Sequence, residues 1–272
     1  MLGYQVIQAA IPKLPNSPSP QADTRQLLSF ATGIPFNQIP LQEMPPLEEF
    51  WKLIEQRATG TPVQHLTGEA PFRNLTLKVG PGVFIPRPET ELLVELALPK
   101  IAGKPHPVVI DLCTGSGAIA AAIATETTAN VYAVEIDETA YHYAQQNLSS
   151  TNTTLIQEDF HTALTQLNAQ ADLVISNPPY IPENTRNQLP PETLQDPELA
   201  LFGGKDGLQL IPGLIETAAR LLKPNGWLIF EHDDTHGETA PALLAANPHF
   251  EYISEHQDYT GRPRYAMAKK KA

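Results

Sequence analysis

Four consecutive residues, Asn177-Pro178-Pro179-Tyr180, carry groups that could hold a planar amino group. Asn177 offers a side-chain carbonyl. Pro178 has no N–H, but its backbone carbonyl is a strong acceptor. Two acceptors match the two N–H bonds of an amide or an aromatic amine, and the face of Tyr180 can pack against that group's plane. Such a nitrogen is a poor nucleophile because its lone pair is delocalised. Accepting hydrogen bonds from both of its hydrogens shifts electron density toward nitrogen and orients it. Holding it in line with a good electrophile would then supply much of the rate, with no strong base needed before attack. Pro178 and Pro179 also stop a strand and stiffen the chain. Taken alone, the tetrapeptide reads equally well as an Asx-type turn, so its context decides.

That context is a second chemical feature. Val108–Leu112 reads as a buried strand, followed by Cys113-Thr114-Gly115-Ser116-Gly117 and the start of a helix. Glycines at a strand-to-helix turn let the backbone approach a bound nucleoside closely. The next apolar run ends at Glu135, eighteen residues after Gly117, where a carboxylate can accept from both ribose hydroxyls. These features indicate a nucleoside-containing cofactor without saying which one. Gly115-x-Gly117-x-x-Ala120 also fits a looser dinucleotide fingerprint.

The elements that must position these residues follow from periodicity. From about residue 105, apolar runs at 108–112, 130–134, 172–176 and 227–230 alternate with helical stretches at 117–126, 138–148, 208–222 and 236–246. That alternation predicts a doubly wound α/β domain with a parallel sheet and helices on both faces. Ala171–Ser176 reads as its fourth strand, which puts Asn177 at a carboxyl end, where open α/β sheets bind ligands. Residues 1–70 differ: helical periodicity over 21–32, ending at Gly33, and over 46–58 predicts a small helical domain. Between them, 71–84 alternates and contains Gly80-Pro81-Gly82, predicting a β-hairpin linker. Pro86-Arg87-Pro88 then opens a helix with Glu89 and Glu91 in its first turn. The second domain runs over 85–272.

Composition bounds the partners. The chain has 272 residues and is 42% hydrophobic, enough for a sizeable core. No run of about 18 apolar residues predicts a membrane span, and Met1–Ala10 lacks the pattern of a secretion signal. With the single Cys113, no internal disulfide is possible, and a reducing cytoplasm is the simplest setting. A net charge of −12 argues against nucleic acid as a partner and suits a basic protein. His232, Asp233, Asp234 and His236 read as a solvated loop rather than a metal site. Cys113 reads as a small packed residue rather than a reactive thiol. Lys269-Lys270-Lys271 reads as a solvated tail.

With these segments in view, the chain resembles the peptide chain release factor glutamine methyltransferases, called PrmC or HemK. The resemblance runs from about residue 20 to 265. It is carried by Gly60–Gly68, Phe84–Glu91, the Asp111–Gly117 loop, Ser176–Ile181 and Ala200–Leu208, with Pro86–Glu91 the most specific. It implies a class I, Rossmann-like methyltransferase sheet with S-adenosylmethionine as cofactor. The implied substrate is the glutamine of the Gly-Gly-Gln loop in class 1 release factors, methylated on its side-chain amide nitrogen. The N-terminal helices would help hold the release factor. By matching position, Cys113, Thr114, Gly115, Ser116, Gly117, Glu135, Phe160 and Asn177 would contact the cofactor. Asn177, Pro178, Pro179 and Tyr180 would hold the glutamine amide, and Arg87 would shape that pocket. Several positions depart from the family's usual pattern: Cys113 stands for glycine, Glu135 for aspartate, Phe160 for a frequent tryptophan, and Glu231-His232-Asp233-Asp234 for Glu-Ile-Gly.

Other functions compete. A nucleobase N-methyltransferase shares the tetrapeptide, but the stretch after Ile181 must complete the sheet and leaves no room for a DNA target-recognition region. An NAD oxidoreductase explains the glycine loop and Glu135 but not Asn177–Tyr180. A silent module that docks on release factors is the third rival. The expectation is a monomeric enzyme without a metal.

Overall fold

The computed structural model describes residues 1–272. The chain divides into two compact units: Met1–Glu69 with Val79–Pro81 and Pro190–Gln195, and the remainder.

The first unit is helical: α1 (Gly3–Ala10), α2 (Pro20–Thr32), α3 (Glu48–Ala58) and α4 (Val63–Thr67). Proline at the first position starts α2, and Gly33 ends it with φ of 69°. Along α3, Phe50, Leu53, Ile54 and Arg57 fall on one stripe and are buried. Leu27, Leu28, Ile39, Phe50 and Ile54 are fully enclosed in this unit's core. Arg57 reaches Asp23 and Glu192, each at 2.7 Å. Glu192 lies far along the chain in the segment Pro190–Gln195, which no linear domain boundary assigns to this unit.

The second unit begins at Ala70, within the hairpin formed by β1 (Glu69–Phe72) and β2 (Leu75–Lys78). Its turn is Arg73-Asn74, with Arg73 at φ of 51°, not the Gly80-Pro81-Gly82 turn expected from sequence. There follow α5 (Pro88–Ile101), β3 (Val108–Leu112), α6 (Ala118–Glu126), β4 (Asn130–Glu135), α7 (Glu138–Leu148), β5 (Thr154–Gln157) and β6 (Ala171–Ser176). Then come α8 (Glu198–Leu201), α9 (Ile211–Leu221), β7 (Leu222–Glu231), α10 (Thr239–Ala246), β8 (Phe250–Gln257) and β9 (Pro263–Lys270). The strands form a seven-stranded sheet in the order β5-β4-β3-β6-β7-β9-β8. Strands β5 to β7 are parallel, whereas β9 runs antiparallel to both neighbours. The sheet is therefore mixed, not parallel throughout. The short Asp258–Arg262 connection returns the chain directly, which forces an antiparallel pair. Lys270 is the last residue of β9, and its Nζ donates to the carbonyls of Ala219 and Leu222 at 2.7 and 2.6 Å, so it is not part of a solvated tail.

Both faces of the sheet are covered. Leu93, Ile119 and Ile123 pack on one face with Val109 and Ile175, while Leu214, Ile215 and Phe160 pack on the other with Ile110 and Val174. Every residue of β6 is buried. The order of strands reverses between β3 and β6, so their carboxyl ends border a crevice at the topological switch point.

Candidate active site

The loop after β3 opens this crevice. Thr114 is anchored twice: its N–H donates to the Val134 carbonyl at 3.0 Å and its hydroxyl to Asp111 at 2.5 Å. Gly115 and Gly117 have φ of 58° and 83°, as does Cys113 at 61°. Glycine adopts this left-handed region without penalty, whereas a cysteine there is strained. At Gly117 a side chain would also press on Leu148, 3.2 Å away. Cys113 remains a thiol, since burial first, and then the charges of Glu135 and Asp111, push its pKa far up.

Glu135, at the end of β4, faces this loop. One carboxylate oxygen accepts from the Gly115 N–H at 2.7 Å, and the other from the N–H groups of Ile136 and Asp137, both at 2.9 Å. The carboxylate is thus fixed before any ligand arrives. Burial raises its pKa, and these three bonds oppose that rise.

Asn177 follows β6. Its Nδ2 donates to Thr90 Oγ1 at 3.1 Å, and the Thr90 hydroxyl donates to Glu231 at 2.9 Å. The other oxygen of Glu231 accepts from the Tyr180 hydroxyl at 2.7 Å. Glu231 is buried at the end of β7, which raises its pKa, while the Tyr180 and Thr90 hydroxyls and Arg264 pull it back. Burial and the Glu231 charge hold the Tyr180 phenol well above its ordinary value, so it stays protonated and is no base. Behind the tetrapeptide, Gly203 and Gly207 come so close that a Cβ would lie 2.6 Å from the Pro179 carbonyl oxygen and 2.1 Å from that of Tyr180. This is the physical basis for the glycines of the Ala200–Leu208 segment.

One cavity of about 230 Å³ joins these two walls. Cys113, Thr114, Gly115, Ser116, Glu135, Phe160, Asn177, Pro178, Pro179 and Tyr180 all line it, so residues up to 67 apart in sequence meet there. Gly117 and Arg87 do not line it. The guanidinium of Arg87 bonds to buried Asp196, whose other oxygen accepts from the Ile85 N–H at 3.2 Å, so Arg87 braces the segment before α5. Sequence reasoning passed over Thr90, Phe84, Ile136, Asp159 and Ile181, which also line the cavity. An acidic residue before Phe160, near a strand end, was the available signal for Asp159. The lining includes Glu135, Asp137, Glu158 and Asp159 but neither lysine nor arginine. That field suits a cationic cofactor and opposes the pyrophosphate of a dinucleotide.

The His232–His236 loop is not solvated as expected. His232 and His236 are 0% and 5% exposed. His232 Nε2 lies 2.9 Å from Glu255, and His236 Nε2 lies 2.9 Å from the Asp206 carbonyl. Asp233 accepts from the Thr235 N–H at 3.0 Å, capping a short turn. The departure from the family's usual residues at 232 and 233 is therefore met by partners, Glu255 on β8 for His232 and the adjacent Thr235 for Asp233.

Residues 5–68 match the PrmC N-terminal domain, and residues 104–270 match a methyltransferase domain. A release factor glutamine methyltransferase of Streptomyces coelicolor is 42% identical over 260 residues, covering 93% of this chain and 92% of its own length. This chain belongs to the release factor glutamine methyltransferase family. Another member, from Bifidobacterium longum, is 40% identical over 92% of each chain. The family's sequence neighbourhood also holds a 4-amino-L-phenylalanine/4-methylamino-L-phenylalanine methyltransferase of Streptomyces pristinaespiralis, 34% identical over 86% of this chain and 82% of its own. Among solved structures, a methyltransferase from Pyrococcus furiosus superposes with a TM-score of 0.53 over 84% of this chain and all of its own, at 16% identity. It shares the Rossmann-like methyltransferase fold. No helix is long and apolar enough to cross a membrane.

Proposed function

We propose that this protein methylates the side-chain amide nitrogen of the Gly-Gly-Gln glutamine in class 1 peptide chain release factors, acting as a cytoplasmic monomer. One observation carries the reading: the Glu135 wall and the Asn177–Tyr180 wall line the same cavity. Glu135 would take the ribose hydroxyls, the 115 N–H and Phe160 would border the nucleoside, and the acidic lining would favour a positive charge. S-adenosylmethionine, when bound, supplies a methyl group on a sulfonium, an excellent electrophile. Asn177 and the Pro178 carbonyl accept from the two amide hydrogens of glutamine, and Tyr180 packs on its plane. The chain's contribution is placement and alignment of a weak nucleophile. No residue has to remove a proton before attack, and protonated Tyr180 is consistent with that. The proton leaves to water.

The relative acting on 4-amino-L-phenylalanine favours one second reading, an aromatic primary amine as acceptor, because its nitrogen is also planar and delocalised. Identity to the release factor enzymes is higher, and residues 5–68 match the PrmC N-terminal domain. A nucleobase acceptor has no comparable support.

The test is transfer of radiolabelled methyl from S-adenosylmethionine. Acceptors are a release factor, the same factor with its loop glutamine replaced, 4-amino-L-phenylalanine and duplex DNA. Label on the intact factor alone supports the proposal, while label on DNA or on the amino acid in preference to the factor overturns it. Asn177→Ala should lower turnover on the order of 100-fold, the scale of removing one aimed hydrogen-bonding group, with the fold intact.

A further inference from the structure

The bonds around Glu231 have a direction. An ionised carboxylate only accepts, and here each of its oxygens takes one hydroxyl hydrogen, from Tyr180 and from Thr90. The single hydroxyl hydrogen of Thr90 is thereby committed, so toward Asn177 its oxygen can only accept. Asn177 must then turn its NH2 to Thr90, at 3.1 Å, and the edge left for a ligand is its carbonyl. An asparagine amide is otherwise free to present either edge.

We infer that Glu231, acting through Thr90, is the positioning residue that fixes Asn177 as an acceptor and thereby fits the cavity to an NH2 donor. The same carboxylate holds the Tyr180 hydroxyl, so one buried group aligns both sides of the acceptor site. Three elements bring the parts together: Thr90 on α5, Asn177 and Tyr180 after β6, and Glu231 closing β7. A glutamine at position 231 breaks the logic. Its carbonyl can keep the Tyr180 hydroxyl, but its NH2 then donates to Thr90. The Thr90 hydrogen turns to Asn177, whose amide rotates by half a turn and presents NH2 to the substrate's NH2. Two donors face each other, and the substrate is repelled. The same arrangement rejects a glutamate in place of the substrate glutamine, since a carboxylate has no hydrogen to give.

The inference rests on amide methylation for its consequence in turnover, but the bond chain can be read without it. Two measurements on the full-length protein test it. In methyl transfer to the release factor, Glu231→Gln and Thr90→Val should each lower kcat roughly ten- to a hundredfold, the scale of a hydrogen bond to a charged group. In Glu231→Gln, cofactor Kd should change by less than about twofold, because Glu231 does not line the cavity. Thr90→Ser keeps the hydroxyl and should recover most of the loss. Independently, exchange of the 15N-labelled Asn177 side-chain hydrogens should be slow in the wild type and in Thr90→Ser, and at least about tenfold faster in Thr90→Val. If Thr90→Val and Thr90→Ser behave alike in exchange, or in transfer while the wild type is active, the inference is wrong. If the exchange contrast is present but the wild type transfers no methyl to any release factor, the proposed substrate fails and the bond chain stands.

Discussion

Two carboxylates with different surroundings meet at the loop after β3. Glu135 has three N–H donors and sits at the cavity. Asp111 is fully buried, takes the Thr114 hydroxyl and the Ala120 N–H on one oxygen, and has no partner on the other. Burial pushes its pKa from 3.8 up to about 7, against the pull of those two bonds. The folded state therefore holds this proton more tightly than the unfolded chain does. Stability declines as pH rises from about 4 to about 7, and above that the ionised, buried group costs at most about 4 kcal/mol. Asp111→Asn keeps an acceptor for Thr114 and Ala120 without the charge. Its Tm should exceed that of the wild type at pH 8, and the gap should close toward pH 4, as calorimetry across this range will show. A gap of equal size at both ends would mean that Asp111 does not titrate in this window. The residue pattern around Gly115 and Glu135 was readable because type and spacing alone suggest the chemistry. The proton balance of Asp111 was not, since it depends on burial that no local segment displays.

The tetrapeptide works as part of an assembly of elements. Ile181 pairs with Phe202 as an isolated parallel bridge, and the Gly203 N–H donates to the Ile181 carbonyl at 3.0 Å. Gly207, at φ of 78°, lies where any side chain would strike the Tyr180 carbonyl. Gly207→Ala should therefore destabilise the protein by roughly 2 kcal/mol or more, from both backbone strain and displacement of Tyr180. Gly33 is a control. It also has positive φ, at the end of α2, but nothing lies within 4 Å of its missing Cβ. Gly33→Ala should cost about 1 kcal/mol, the conformational part alone. Denaturant unfolding of both variants gives the comparison, and equal losses would rule out the steric account. The strands β3, β4, β6 and β7 were legible as apolar runs. Strand β5 is short and half buried, and β8 is mostly half buried, so neither stands out in the sequence.

At the scale of the whole molecule, the charge of −12 sets a field that draws basic partners and repels acidic ones. If a basic protein is the substrate, encounter is steered and the steering is screened by salt. Raising ionic strength from about 0.02 to 0.2 M shortens the Debye length to below about 10 Å. Over that range kcat/KM for the release factor should fall several-fold, with KM carrying the change. A short neutral peptide bearing the same glutamine should show little dependence. Steady-state kinetics on both substrates provide the check, and equal salt sensitivity would indicate that charge does not guide the encounter.

Local chemistry determined much of this protein in advance. The glycine turn, the acidic strand end and Asn177-Pro178-Pro179-Tyr180 each announce themselves within a few residues, because strand stops, tight turns and acceptor groups are properties of short segments. Helices α2, α3 and α7 were likewise written in their periodicity, with Gly33 marking the end of α2. Tertiary structure alone decided which edge of Asn177 is offered, since that depends on Thr90 and Glu231, 87 and 54 positions away. It also decided that Arg87 braces Asp196 instead of lining the cavity, that the last strand turns the sheet mixed, and that Pro190–Gln195 belongs with the N-terminal helices. Each of these is a pairing between groups distant in the chain. Hydrogen-bond direction and long-range partners are settled by packing, and no period or short motif encodes them.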